Sequence, residues 1–223
     1  CDCAYYEIVS DKIDFTAANE CLKKKAMQDV YRYLENSNKN SDIYNYKFYI
    51  DSAITYNDDN LISIICDVAS YETNYRDEIL LYGINIDAKT GEVMDNNKII
   101  NVDEDFAKFF KDRCTCQMGA HDYVNNLSDQ EIVKLLTNPQ SLIVYFSPLG
   151  IEIGYQYKYR SGKGWITCTI NDYDKYLSGV YQFDTSFSKK YDVFSYEKQY
   201  GTYNQQHGLD DPLAGYYDSY DDF

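Results

Sequence analysis

The chain has 223 residues, 44% hydrophobic and 26% charged, with 36 Asp and Glu against 21 Lys and Arg and a formal net charge of -15. That length suffices for one well-buried core, so neither a metal nor a disulfide is needed merely to fold. The negative balance argues against nucleic acid and anionic membrane surfaces as partners, and it favours a cationic protein where it does more than keep the chain soluble.

The sequence opens on Cys1, which is either a meaningless boundary or the lipid-bearing first residue of a mature lipoprotein. Setting Cys1 aside leaves Cys3, Cys21, Cys66, Cys114, Cys116 and Cys168, an even set that fits up to three bridges in an oxidising compartment. A helix is predicted from Thr16, as N-cap, through residue 36, because Leu22, Ala26, Val30 and Leu34 share one face while Lys23, Lys24, Asp29 and Arg32 stay solvated. It should lie across a sheet. Three strands follow, in which Tyr44, Tyr46, Phe48 and Ile50, then Ile62, Ile64, Cys66 and Val68, then Leu80, Tyr82, Ile84 and Ile86 alternate with polar residues. The turn cluster Asn57-Asp58-Asp59-Asn60 leaves no room for a crossover helix, so these strands are antiparallel.

Two short helices come next. Asp103 to Arg113 sets Phe106, Phe109 and Phe110 on one side, and Leu127 to Glu131 holds a capping box for a helix that runs through Leu136 and stops at Asn138-Pro139. Residues 142–177, LIVYFSPLGIEIGYQYKYRSGKGWITCTINDYDKYL, then give three strand-like runs, with Asn171 or Asp172 as N-cap of a segment ending at Leu177. Together these elements predict an α+β fold, an antiparallel sheet packed against a few helices, with residues 1–100 and 101–177 as two parts of one compact unit. Residues 178–223 differ in being rich in Tyr and Asp. Through Tyr200 they offer a further strand, whereas 201–223 lacks periodic apolar burial and is expected to be flexible unless it wraps a basic partner or its own domain.

The closing block 142–177, with its strand, proline turn, strand, small loop, strand and final leucine, resembles the end of the DUF3298 domain of bacterial envelope proteins. The stretch LISIICDVASYETNYRDEILLYGINIDAKTGEVM resembles the strands of DUF4163/DUF3298 tandem proteins, in which a strand ends in aspartate, lysine, threonine and glycine. Many members carry a glycine-glycine-alanine-histidine loop where this chain has Ser70 to Asp77 without a histidine. The resemblance implies an extracytoplasmic, non-enzymatic binding module. In that family similar domains form the sensing ectodomain of a lysozyme-responsive anti-sigma factor and accompany a peptidoglycan deacetylase domain.

No catalytic constellation accompanies this pattern. His121 beside Asp122 could orient against Cys114 or Cys116, but it reads far better as a surface-loop histidine, and His207 sits in the polar tail. Cys114-Thr-Cys116 is too tightly spaced for a zinc knuckle, and no phosphate loop or calcium loop occurs, so no cofactor or metal is expected. The candidate binding residues are those of the departing loop, Tyr71, Asn74, Tyr75 and Arg76, and those of the tail, Asp210, Asp211, Tyr216 and Tyr217. A cell-wall component or a cationic protein such as lysozyme would be the ligand. The alternatives are an envelope-polymer hydrolase and a structural surface lipoprotein assembling through its C-terminal extension. Any membrane attachment would come through Cys1, since no run of about 18 apolar residues occurs.

Overall fold

A computed structural model describes residues 2–37, 46–72, 75–116, 124–159, 162–171 and 173–183. In chain order the elements are β1 (Asp2–Cys3), α1 (Thr16–Ser37), β2 (Tyr46–Asn57), β3 (Leu61–Glu72), β4 (Tyr75–Asp87), α2 (Glu104–Arg113), β5 (Thr115–Cys116), α3 (Asp129–Leu136), β6 (Leu142–Ser147), β7 (Gly150–Tyr159) and β8 (Gly162–Ile170). Short 3-10 turns at Asn96–Lys98 and Tyr173–Lys175 complete them. This is the expected α+β fold. The strands order as β1-β2-β3-β4-β8-β7-β6, with β5 also on β8. The two antiparallel halves, β2-β3-β4 and β6-β7-β8, meet through a single parallel pairing of Glu78 with Lys163.

The apolar stripe of α1 seats it on the first half. Ala18, Leu22, Ala26 and Val30 pack on Phe48, Ile50, Ile64, Cys66, Val68, Leu80, Ile84 and Ile86. The stripe ends a turn earlier than its spacing predicts, because Leu34 is 44% exposed. The capping oxygen also differs from the expected Thr16: the Asp14 carboxylate accepts the Thr16 N–H at 2.9 Å, and hydrogen bonding to Thr16 lowers the Asp14 pKa. α2 and α3 cover the second half, where Phe106, Ala107, Phe110, Ile132 and Leu136 join Val144, Phe146, Ile153, Tyr155, Ile166 and Cys168 in one core. Their starts follow the sequence. Asp103 accepts the Phe106 N–H, and Ser128 and Glu131 form the reciprocal box.

The two halves lock together through polar groups that the alternation assigns to solvent. Ser63, Gly83 and Asn85 lie on the face of β3 and β4 turned away from α1, and the edge of β6 comes down on them. Ser63 Oγ accepts the Phe146 N–H at 2.9 Å and donates to Asn85 Oδ1 at 2.7 Å, while Asn85 Nδ2 donates to the Val144 carbonyl at 2.9 Å. Side chains thereby satisfy backbone groups of β6 that strand pairing leaves open. Gln156 Nε2 does the same for the Leu81 carbonyl at 3.0 Å. A register shift between Ile54 and Tyr56 turns Tyr56 onto this inner side, where its ring meets Phe146 at 6.4 Å. The first residues after the closing strands fold back as well: Tyr181 accepts the Asp95 N–H, and the Phe183 ring lies 4.7 Å from Phe146.

Candidate functional site

With α1 on one face of the first half and β6 over the inner side of β3 and β4, the outer part of β2 and β3 keeps an open face. Tyr49, Asp51, Asp67 and Tyr71 stand there, in the opposite phase to Phe48, Ile50 and Val68 beneath α1. The antiparallel register sets Asp51 directly opposite Asp67 and Tyr49 opposite Ala69, with Tyr71 opposite Lys47. Tyr49, 48% exposed, meets Tyr71 edge to face with ring centroids 5.5 Å apart and an interplanar angle of 89°. The Asp51 and Asp67 side chains are both exposed on this face. Asp51 Oδ1 accepts the Ser52 N–H at 2.8 Å, which orients the carboxylate. Paired anions beside a tyrosine pair suit ammonium and guanidinium groups, through charge-assisted hydrogen bonds and ring faces together.

Of the residues singled out from the sequence, Tyr71 belongs to this face. The stretch Ser70 to Asp77, expected as a loop, is instead mostly hairpin: Tyr71 pairs with Arg76 and Glu72 with Tyr75, with a register shift after Ser70. Alternating strand residues run almost to the tip, and the polar composition that suggests a loop is that of an exposed strand end. Tyr75 and Arg76 are backbone members of β4. Asn74, Cys1, Asp210, Asp211, Tyr216 and Tyr217, together with His121 and His207, lie outside the described residues. Tyr49, Asp51 and Asp67 were not singled out; their signal is their phase, opposite to the apolar positions of both strands.

A second concavity, of about 160 Å³, opens between α1 and β4 and is lined by Cys21, Lys25, Tyr82, Asp95, Asn97 and Leu142 among others. Next to it a charge network ties the helix to the strand. Asp29, only 3% exposed, accepts from the Tyr82 hydroxyl at 2.6 Å and pairs with Arg32 at 2.8 Å, and Arg32 continues to Glu78 at 3.0 Å. Burial, and then the Asp29 charge, push the Tyr82 phenol far above its usual range, so it stays a hydrogen-bond donor rather than a base. Burial likewise raises the Cys21 thiol, with Lys25 only partly opposing it, which keeps this thiol protonated at neutral pH. The concavity therefore offers hydrogen bonds and one ammonium group but no activated nucleophile among its described lining residues. Among the described residues no three His, Cys, Asp or Glu side chains converge as metal ligands, and no helix is long and apolar enough to cross a membrane.

No family model matches the chain, and no curated protein matches it. Its structural neighbours are DUF3298 family members at low sequence identity. A member from Bacteroides fragilis is 14% identical, with 78% of this chain and 71% of that chain covered at a TM-score of 0.39. A DUF3298 family protein from Pseudomonas aeruginosa is 10% identical, with 77% and 88% covered at a TM-score of 0.43.

Proposed function

We propose that this chain is a non-enzymatic, extracytoplasmic binding module that takes a cationic protein on the open face of β2 and β3. The observation that carries the reading is the placement of Asp51 directly opposite Asp67, with the Tyr49 and Tyr71 rings alongside. The net charge of -15 adds a long-range field of the right sign for steering a basic partner. The resemblance of residues 61–95 and 142–177 to envelope domains supports the extracytoplasmic setting.

Calorimetric titration of the full chain with lysozyme, as a cationic probe protein, tests this. Saturable binding is expected at low ionic strength, and raising salt from about 50 mM to about 500 mM should weaken it at least about tenfold as the Debye length shrinks. Absence of binding, or an affinity indifferent to salt, would overturn the reading.

A further inference from the structure

β5 lies along β8 in antiparallel register, with Thr115 opposite Thr167 and Cys116 opposite Ile166. One step back toward α2, continuing that register would set Cys114 opposite Cys168, and both are free thiols in this structure. Cys114 has the backbone for this position: it ends α2 with φ -68° and ψ 141°, in the extended region, and its N–H still reaches the Phe110 carbonyl at 2.8 Å. Both side chains enter one apolar cluster, with Cys114 8% and Cys168 1% exposed. Residues directly opposite in an antiparallel ladder have Cα atoms about 4.5–5.5 Å apart, within the span of about 4.4–6.8 Å that a disulfide needs. Of the other described cysteines, Cys3 stands opposite Ile50, Cys66 opposite Ser52 and Tyr82, and Cys116 opposite Ile166, while Cys21 lies on α1 and in no ladder.

We propose that Cys114 and Cys168 form a disulfide in the oxidised protein, closing the loop that carries α3, β6 and β7 and fastening the end of α2 to β8. The oxidant is a small or protein-borne disulfide. One cysteine thiolate attacks it and releases a thiolate, and the second attacks the resulting mixed disulfide and releases the other. Two cysteine thiols are thus oxidised to one disulfide, and the oxidant is reduced to two thiols that take up the two protons. Burial, followed by the Glu152 and Cys114 charges, raises the Cys168 thiol, which disfavours its thiolate in the folded chain. The proposal rests on the extracytoplasmic part of the reading above for its oxidant in the cell, and not on any partner of the acidic face.

The test is to refold the full chain from the reduced state in a glutathione and glutathione disulfide buffer, block remaining thiols, and map tryptic peptides without reduction. A cross-link between the peptides 114–134 and 164–175 is expected in the native sequence and in Cys116→Ser, and it should be lost in Cys114→Ser. The oxidised chain should melt on the order of 10 °C above the reduced one. No cross-link, a cross-link that persists in Cys114→Ser, or equal melting points of the two forms would each overturn the proposal. Since no binding partner enters the measurement, its outcome is separate from that of the lysozyme titration.

Discussion

Gly83→Val is expected to lower stability by about 3 kcal/mol or more, read as a fall in the urea midpoint, because it forces the two halves of the sheet apart. A Cβ at position 83 would stand 2.0 Å from the Val144 carbonyl oxygen and 2.7 Å from its carbonyl carbon. Both atoms are backbone, so no side-chain rotation relieves the clash, and β6 must leave the face of β4. Doing so would also break the Asn85 and Ser63 hydrogen bonds to that strand. Gly179→Ala provides the contrast. Nothing lies within 4 Å of a Cβ there, although φ is +79°, so only a local conformational cost of about 1 kcal/mol is expected. Equal, small effects at the two positions would mean that β6 is not seated on Gly83.

Asn85→Leu should cost a comparable amount, about 3–5 kcal/mol, for a different reason. Asn85 is fully buried, accepts from Ser63, and donates to the Val144 carbonyl and to Asn96 Oδ1. A leucine fills much of the volume but removes all three of those bonds at once, and buried polar groups left in this way carry their full desolvation cost. Asn85→Asp keeps the shape while setting carboxylate oxygens against the two acceptors. Its carboxyl is more stable protonated there than in the unfolded chain, so the stability it retains is fully present at acid pH and is lost as pH rises toward neutrality. Denaturation of both variants at mildly acid and neutral pH checks this: the leucine variant should be indifferent to the change and the aspartate variant should lose stability at the higher pH.

Which parts of this architecture the sequence reveals depends on what periodicity can encode. The stripe Leu22, Ala26, Val30 and the alternations through Ile64 to Val68 and Leu80 to Ile86 mark the contact between α1 and the first half, and Ser128 with Glu131 marks the start of α3. Burial on the opposite face is not marked in that way. Ser63, Gly83 and Asn85 have the composition of a wet strand face, yet they are small or amide-bearing because a strand edge lands on them and needs both space and partners. The single parallel pairing that joins the halves involves Glu78 and Lys163, whose local sequence carries no signal for it. Of the candidate face, Tyr71 was legible as an aromatic beside a departure from related sequences. The Asp51 and Asp67 pairing was not, since it exists only through a cross-strand register that ends in the shift at Ile54 and Tyr56.

The binding face itself is tested most directly by comparing Asp51→Asn with Asp59→Asn, an exposed acid in the turn beyond β2, in the lysozyme titration. Both variants remove one negative charge, and asparagine at 51 can still accept the Ser52 N–H. Asp51→Asn is expected to weaken binding about fivefold at low salt, equivalent to ~1 kcal/mol, while Asp59→Asn leaves it nearly unchanged. The Asp51 variant should meanwhile keep the parent's stability to within about 0.5 kcal/mol, as an exposed surface substitution does. An affinity unaffected by Asp51→Asn, or weakened equally by the two substitutions, would contradict a partner held on the open face of β2 and β3.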